Sequence, residues 1–277
     1  MPELPEVETV RRGLSQLVIG KTIKSIDVLW PKIINGDIIP FKHELEGRKI
    51  ESIDRLGKYL LFRFDNQMTM VSHLRMEGKY FVRATDEPIE KHSHVIFHLT
   101  DDQDLRYNDV RKFGRMQLIP TGQERELSGL KKLGPEPTEN EFKLSDFKKY
   151  LARKHMSIKP VLLNQEAVAG LGNIYVDEVL WMSKINPEQL ANSISDSKLS
   201  SLRKNIILEL ATAVQAGGTT IRSYTGAFGE TGLFQFDLNV YGQTGKPCPR
   251  CGTPIAKIKV AQRGTHYCPH CQPLRKV

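Results

Sequence analysis

Apolar positions Leu4, Val7, Val10, Leu14 and Leu17 recur at helical spacing behind a proline-rich start and predict a helix within residues 1–20. From 21 to about 120 the period shortens to that of strands. Eight β-rich stretches, at 21–30, 48–55, 59–64, 68–73, 79–83, 94–99, 104–108 and 115–119, are separated by Gly, Asp or Pro. That many short strands in so little chain predict a two-sheet sandwich or a barrel. The stretch Gly134-Pro135-Glu136-Pro137-Thr138 reads as a linker. Beyond it the helical period returns, with helices predicted at 145–153, 159–163, 174–182 and 196–216. Residues 217–240 are rich in Gly, Thr and Ser and carry Phe228, Phe234 and Phe236. This is long for a loop, and long loops are commonly functional or disordered.

Composition narrows the class. The length of 277 residues sets a prior of about two domains. An apolar fraction of 39% with 26% charged residues describes a globular chain rather than a disordered one. No apolar run approaches the ~18–20 residues that span a bilayer. The acidic start MPELPEVETV lacks the basic and apolar regions of a secretory signal, so the expected location is cytoplasmic and no membrane partner is expected. The formal net charge is +8, which favours polyanionic partners. It is unevenly placed: after Asp237 the last 40 residues hold no carboxylate side chain and seven basic ones, Lys246, Arg250, Lys257, Lys259, Arg263, Arg275 and Lys276. Apolar residues and every cysteine of the chain fall in the same segment, so it reads as a folded basic module suited to nucleic acid.

The cysteines form Cys248-Pro-Arg-Cys251 and Cys268-Pro-His-Cys271 with 16 residues between the pairs. That is the spacing of a four-thiolate zinc ribbon, each pair on a tight turn and a β-hairpin between them, with Arg263-Gly264 at or near its tip. Two disulfides are the alternative, disfavoured where cytosolic thiols stay reduced. His266 and His270 are possible substitute ligands, but the symmetric spacing selects the thiolates. Four protein ligands make the metal structural. Elsewhere, Ala169-Gly170-Leu171-Gly172-Asn173 is a glycine-rich turn opening a helix. Such a turn either presents N–H groups to a phosphate or simply joins two helices.

Taken in order, several motifs carry a resemblance. The start Pro2-Glu3-Leu4-Pro5-Glu6-Val7-Glu8 resembles the N-terminal signature of the bacterial formamidopyrimidine-DNA glycosylase family. So do Gly57-Lys58-Tyr59-Leu60-Leu61, His73-Leu74-Arg75-Met76, Arg111-Lys112-Phe113-Gly114, Leu133-Gly134-Pro135-Glu136-Pro137, Gly170-Leu171-Gly172-Asn173-Ile174-Tyr175 and the cysteine module. The motifs run from end to end of the chain. The resemblance implies an α+β multidomain fold. Residues 1–133 would form an N-terminal two-sheet β-sandwich with its leading helix. Residues 134–237 would form a helix–two-turn–helix domain with a lesion-capping loop at about 217–237, and 238–277 a zinc-ribbon hairpin. It also implies a monomer that binds double-stranded DNA holding oxidised or abasic sites. The activity would be excision of oxidised purines followed by β,δ-elimination at the abasic site, with one structural Zn2+ and no organic cofactor.

The residues themselves support such chemistry. Pro2 follows Met1, and a small second residue permits loss of the initiator, leaving a free secondary amine. An α-amino group with a pKa of about 7.7–8.0 is far more nucleophilic near neutrality than a lysine, and its attack on a sugar C1′ makes a Schiff-base-type adduct. The alternative is that Pro2 merely starts a helix. Glu3 adjoins that amine and is suited to general-acid work, with Glu6 one turn on as its assistant; Glu8 suits the helix dipole. By resemblance, Lys58 serves β-elimination and Arg263 serves phosphate binding and δ-elimination. A base taken out of the stack leaves a gap that apolar wedges and Arg fill, and Met76, Arg111 and Phe113 match that set. His73, His92, Arg153, Lys159 and Asn173 match further DNA contacts, and Arg222 and Thr225 match the capping loop. One departure is Asp109-Val110-Arg111-Lys112, where many relatives have Pro before the wedge Arg and Arg after it. An endonuclease VIII-like glycosylase for oxidised pyrimidines is the alternative within the resemblance, disfavoured by Leu4. A non-catalytic zinc-ribbon DNA-binding protein is the alternative outside it.

Overall fold

The computed structural model describes residues 1–219 and 237–275. They divide into two compact units, one built on Met1–Lys131 and the other on Lys132–Ala216 with the C-terminal module.

The first unit opens with α1 (Leu4–Val18), whose N-cap is Glu3. The Glu3 side chain accepts the Glu6 backbone N–H, and the Glu6 carboxylate accepts the Glu3 N–H at 2.8 Å. This reciprocal capping box, with Pro5 in the first turn, fixes where the helix begins. Leu4, Val7, Val10, Leu14 and Val18 are buried along one face, Val18 closing the stripe while Leu17 packs at its edge. Eight strands follow: β1 (Ile23–Val28), β2 (Ile50–Leu56), β3 (Tyr59–Phe64), β4 (Met68–His73), β5 (Lys79–Ala84), β6 (Ser93–Leu99), β7 (Gln103–Asn108) and β8 (Arg115–Pro120). They form two antiparallel sheets of four, ordered β1-β6-β7-β5 and β2-β3-β4-β8. Leu60, Phe62, Phe64, Met70, Val95, Phe97, Leu105 and Tyr107 fill the core, each contributing ~1.5–3 kcal/mol by leaving water. Between β1 and β2 lies α2 (Ile38–Leu45), which the apolar period does not reveal. Pro40 sits in its first turn, where a missing N–H has no consequence, and Phe41 and Leu45 are buried.

The second unit holds α3 (Leu144–Ala152), α4 (Ile158–Leu163), α5 (Asn173–Met182) and α6 (Asp196–Gln215), then the hairpin β9 (Ala256–Val260) and β10 (Arg263–Tyr267). Phe147, Leu151, Val161, Leu162, Tyr175, Val179, Leu202, Ile206 and Leu210 make its helical core. Gly134 runs so close to the Glu166 backbone that a Cβ would overlap it, and its N–H donates to Gln165 O at 2.8 Å. The chain re-enters this unit at 239–241, where the buried Glu178 carboxylate accepts the N–H groups of Asn239, Val240 and Tyr241 at 2.9, 2.9 and 2.8 Å. No helix among the described residues is long and apolar enough to cross a membrane.

The first unit also buries Arg106 completely, on β7. Its guanidinium donates to Asp104 at 3.1 and 2.9 Å and to the carbonyls of Pro88 and Glu87 at 2.9 and 2.8 Å. Asp104→Ala would leave that charge with Glu90, 3.3 Å away and partly solvated, as its remaining carboxylate. We expect a loss of about 3–5 kcal/mol, read as a lower urea midpoint; an unchanged midpoint would show that Glu90 and the carbonyls satisfy Arg106 without Asp104.

Candidate functional site

Pro2 and Glu3 are both buried at the start of α1. Glu6, also buried, accepts three donors: the Glu3 N–H, the Thr219 N–H at 2.8 Å and the Thr219 hydroxyl at 3.1 Å. Glu6 therefore ties the helix start to the root of the 217–237 segment. Glu8 is different. Burial pushes its carboxyl up, but the hydrogen bonds and charges of Arg11, Arg12 and Arg55 outweigh burial and hold it at about 2. It stays anionic and has no proton to give near neutrality. Arg55, 3.1 Å from Glu8, also donates to Gly57 O at 2.9 Å, and so braces the turn that carries Lys58.

That turn joins β2 to β3 through Gly57 at φ +57, and Lys58 on it is buried. His73 ends β4. Burial, with the charges of Arg75 and Lys58, pushes its imidazole down to about 3, so it is neutral at working pH. Its Nδ1 accepts the Arg75 N–H at 2.9 Å, and the Tyr59 ring packs edge-on at 4.5 Å. His73 thus supports the loop that follows it.

Two loops carry the wedge candidates. Met76 is half-buried in the turn between β4 and β5, after Arg75 at φ +55. Arg111 and Phe113 are exposed between β7 and β8, with the guanidinium 4.7 Å above the Phe113 ring. His92, half-buried at φ +72, accepts the Asp109 N–H on its carbonyl at 3.0 Å.

In the second unit Arg153 is exposed just beyond α3, beside Lys149, Tyr150 and Lys154. In the glycine-rich turn Gly170 takes φ +94 and donates to Gln165 Oε1 at 2.8 Å, and Gly172 is the N-cap of α5 with Asn173 its first residue. Lys159 is wholly buried, with Nζ 2.6 Å from Asp177 Oδ1 and 3.2 Å from Gly264 O. Asn173 Nδ2 donates to the same Gly264 carbonyl at 2.9 Å, and Asp177 Oδ2 accepts the His266 N–H at 2.8 Å. Lys159, Asn173 and Asp177 together hold β10 on α5. Arg263, exposed, is the first residue of β10. The hairpin tip is Ala261-Gln262, both at positive φ (46 and 63), as a two-residue primed turn requires. Arg222 and Thr225 lie outside the described residues, as does most of the 217–237 loop.

The sulfurs of Cys248, Cys251, Cys268 and Cys271 lie within 4.8 Å of one another. None is in a disulfide, and the 248–271 and 251–268 sulfurs are 4.0 and 3.5 Å apart. Tetrahedral Zn–S bonds of ~2.3 Å place sulfurs ~3.8 Å apart, so the donor set fits zinc. His266 turns to Asp177 and is no ligand. Trp181 Nε1 donates to Cys248 Sγ at 3.4 Å and Arg250 lies 4.0 Å over the Trp181 ring, so the metal module is docked on α5.

Asp109, Asp177, Glu178 and Trp181 act here without a motif that announces them. Only Asp109 has a local signal, an Asp opening a turn before Arg111.

Three family models match the chain: "Formamidopyrimidine-DNA glycosylase N-terminal domain" over 1–116, "Formamidopyrimidine-DNA glycosylase H2TH domain" over 133–225, and "Zinc finger found in FPG and IleRS" over 245–274. The formamidopyrimidine-DNA glycosylase of Ligilactobacillus salivarius is 60% identical over 275 residues, covering 99% of this chain and 100% of that protein. That of Enterococcus faecalis is 56% identical over 276 residues, covering 99% and 98%. Among solved structures, the Lactococcus lactis enzyme bound to abasic-site DNA superposes with a TM-score of 0.94 at 48% identity, covering 98% of this chain and 99% of that one. Its complex with DNA containing N7-benzyl-Fapy-dG gives the same TM-score and identity, covering 98% and 100%.

The hairpin's own core is small: Trp181, Val240, Cys248, Ile255 and Cys268. Metal binding therefore supplies much of its folding free energy. Cys268→Ser should lose zinc, measured by metal analysis, and expose 245–274 to protease while the helical core stays protected. A metal-free preparation with an intact, protease-resistant hairpin would contradict this.

Proposed function

We infer the chemistry from membership: the chain belongs to the formamidopyrimidine-DNA glycosylase family, and it is a base-excision glycosylase and AP lyase acting on damaged DNA, with one structural zinc. The substrates are oxidised purines in duplex DNA, in line with the Fapy-dG and abasic-site DNA bound by its Lactococcus relatives. The working form is a cytoplasmic monomer bound to DNA. We divide its labour among 1–133 for catalysis, 134–237 for DNA binding and lesion capping, and 238–277 for the zinc ribbon.

The observation that carries the residue assignment is Glu3, buried at the capped start of α1 immediately beside Pro2. With Met1 removed, the Pro2 nitrogen has a lone pair and a pKa near that of an α-amine, about 7.7–8.0. It bonds to C1′ of the damaged nucleotide. The bond from C1′ to the base breaks, and the departing base takes a proton from Glu3. The C1′–O4′ bond of the sugar then opens, the amine proton passing to O4′ as it becomes a hydroxyl, which leaves an iminium ion. Its C2′ proton is then acidic, and loss of that proton expels the 3′-phosphate; Lys58 serves this step. Arg263 neutralises the second phosphate as δ-elimination expels it. Glu6, already holding three donors, is a positioning residue for Glu3. Met76, Arg111 and Phe113 fill the gap left by the extruded base. His92, Arg153 and Asn173 hold the backbone, fixing register without reading sequence.

Borohydride should therefore link abasic DNA to a peptide beginning at Pro2. An extra residue before Pro2 turns the amine into an amide and should abolish the link. Glu3→Gln should lose base excision by at least about tenfold more than cleavage of a pre-formed abasic site, because that substrate has no base to expel. An adduct on Lys58 or another internal lysine would overturn the assignment.

The wedge makes a separate prediction. Met76→Ala or Arg111→Ala should slow excision from duplex DNA more than cleavage at an abasic site, by about one to two orders of magnitude if each filler supplies ~1.5–3 kcal/mol to the extruded state. Equal losses on the two substrates would give these residues another job.

A further inference from the structure

We propose that Asp109 and Tyr107 are the positioning residues of the wedge: they set Met76, Arg111 and Phe113 at one fixed spacing before DNA arrives. The inference rests on the reading that those three side chains fill the gap behind the extruded base.

Asp109 is wholly buried, although it opens a surface loop. Its Oδ1 accepts the Arg111 N–H at 3.0 Å, and its Oδ2 accepts the N–H groups of Phe113 and Gly114 at 2.9 and 2.8 Å. Its carbonyl accepts the Lys112 N–H at 3.2 Å and faces His94 Nε2 at 2.8 Å, while its own N–H donates to His92 O at 3.0 Å. A single residue thus holds the backbone N–H of Arg111, Lys112, Phe113 and Gly114. Lys112 adopts φ +57 to make this turn, and its ammonium lies 3.9 Å over the Trp30 ring, which pins the outer side of the loop. Val110 at the tip is exposed and adds no contact of its own to the core. The loop is therefore shaped by the carboxylate beneath it.

Tyr107 joins this loop to the other one. Its ring is wholly buried and packs edge-on against Tyr80, with centroids 5.1 Å apart. The Tyr107 hydroxyl occupies the space that a Cβ would need at Gly78 and also at Gly114. Gly78 closes the Met76 turn, with its N–H on Leu74 O at 2.9 Å, and Gly114 closes the Arg111–Phe113 loop. Both loops are built down onto the same oxygen, and no larger residue fits at either glycine. Three fillers that enter one base stack must arrive in register. Fixing them in advance removes an ordering cost from the extrusion step, whereas the reaction at C1′ uses none of these groups.

The test uses the full-length zinc protein in single-turnover assays of 8-oxoguanine excision from duplex DNA and of cleavage at a pre-formed abasic site. A 2-aminopurine beside the orphaned base reports insertion of the wedge. Asp109→Asn keeps the shape and one acceptor but loses the charge that holds three N–H groups. It should slow excision about 10–100-fold, lower the 2-aminopurine signal, and leave abasic cleavage within about threefold. Gly78→Ala changes no filler and no residue of the Arg111 loop, yet should show the same split by displacing Tyr107 and the Leu74 carbonyl beneath the Met76 turn. Tyr107→Phe, a conservative core change, guards against a variant that fails to fold. If losses run through a shared support, Met76→Ala combined with Tyr107→Phe should lose less than the product of the two single losses. Parent-like excision in Asp109→Asn, Gly78→Ala and Tyr107→Phe would overturn the inference. So would equal loss of excision and abasic cleavage. A parent protein that forms no borohydride adduct would instead overturn the functional reading beneath it.

Discussion

Asp177 carries its carboxylate to a point where no water reaches, and the second unit is assembled around it. Lys159 of α4 and the His266 N–H of β10 meet there, 2.6 and 2.8 Å from its oxygens. Hydrogen bonds to a charged group contribute ~1.5–3 kcal/mol each, and removing one partner of a buried pair costs about 3–5 kcal/mol. The same device recurs wherever a functional segment needs holding. Asp109 holds the wedge loop, Glu6 holds the helix start and Thr219, and Glu178 holds the returning chain at 239–241. Loops have no ladder to close their N–H groups, so a buried carboxylate closes them instead.

The support permits backbone that would otherwise relax. Arg75, His92, Lys112 and Gln262 all take left-handed φ, at 55, 72, 57 and 63. Each stands next to a residue with an assigned role or is one itself. Such conformations cost of order 1–3 kcal/mol and persist only where the surroundings over-determine them. At these four positions strain flanks the candidate chemistry, whereas Gln67, Asp102 and Lys184 take the same φ at turns with no assigned role.

The strand periods and the cysteine spacing were legible in the sequence because both are local patterns. The eight strands of the first unit and the four clustered sulfurs follow from them directly. The second helix was not legible, since Ile38-Ile39-Pro40 looks like a break until Asp37 is seen as its N-cap. The burial of Lys159 was not legible for a physical reason: a lysine in an amphipathic segment is nearly always solvated, and only a partner 18 residues away makes its burial tolerable. Arg263 sits one residue past the hairpin tip because Ala261 and Gln262 accept left-handed φ with no glycine between them. Nothing in a one-dimensional pattern marks Tyr107 as the floor of two loops; that needs β5 and β7 paired in one sheet and the start of β8, from the other sheet, brought against them.

The position of Arg263 depends on two supports of different kinds. The metal gathers the ends of the hairpin, and two of the five residues in its small core are themselves cysteines, so losing zinc also empties that core. The strand itself is held elsewhere, by Lys159 and Asn173 on Gly264 O and by Asp177 on the His266 N–H. Zinc removal therefore loosens the turns at 248–251 and 268–271 first. The polar clamp at Gly264 and His266 does not hold the hairpin folded without the metal, and the β10 backbone next to Arg263 is released as the hairpin opens. A buried ion pair adds little net stability over an apolar pair of the same volume. What it adds is register: only one alignment of β10 on α5 satisfies the Asp177 carboxylate and the Gly264 carbonyl together. A one-residue slip would turn the Arg263 side chain to the other face. The charge buried at 159 and 177 is thus the means by which an exposed arginine, with no side-chain anchor among the described residues, is kept on one face of the hairpin.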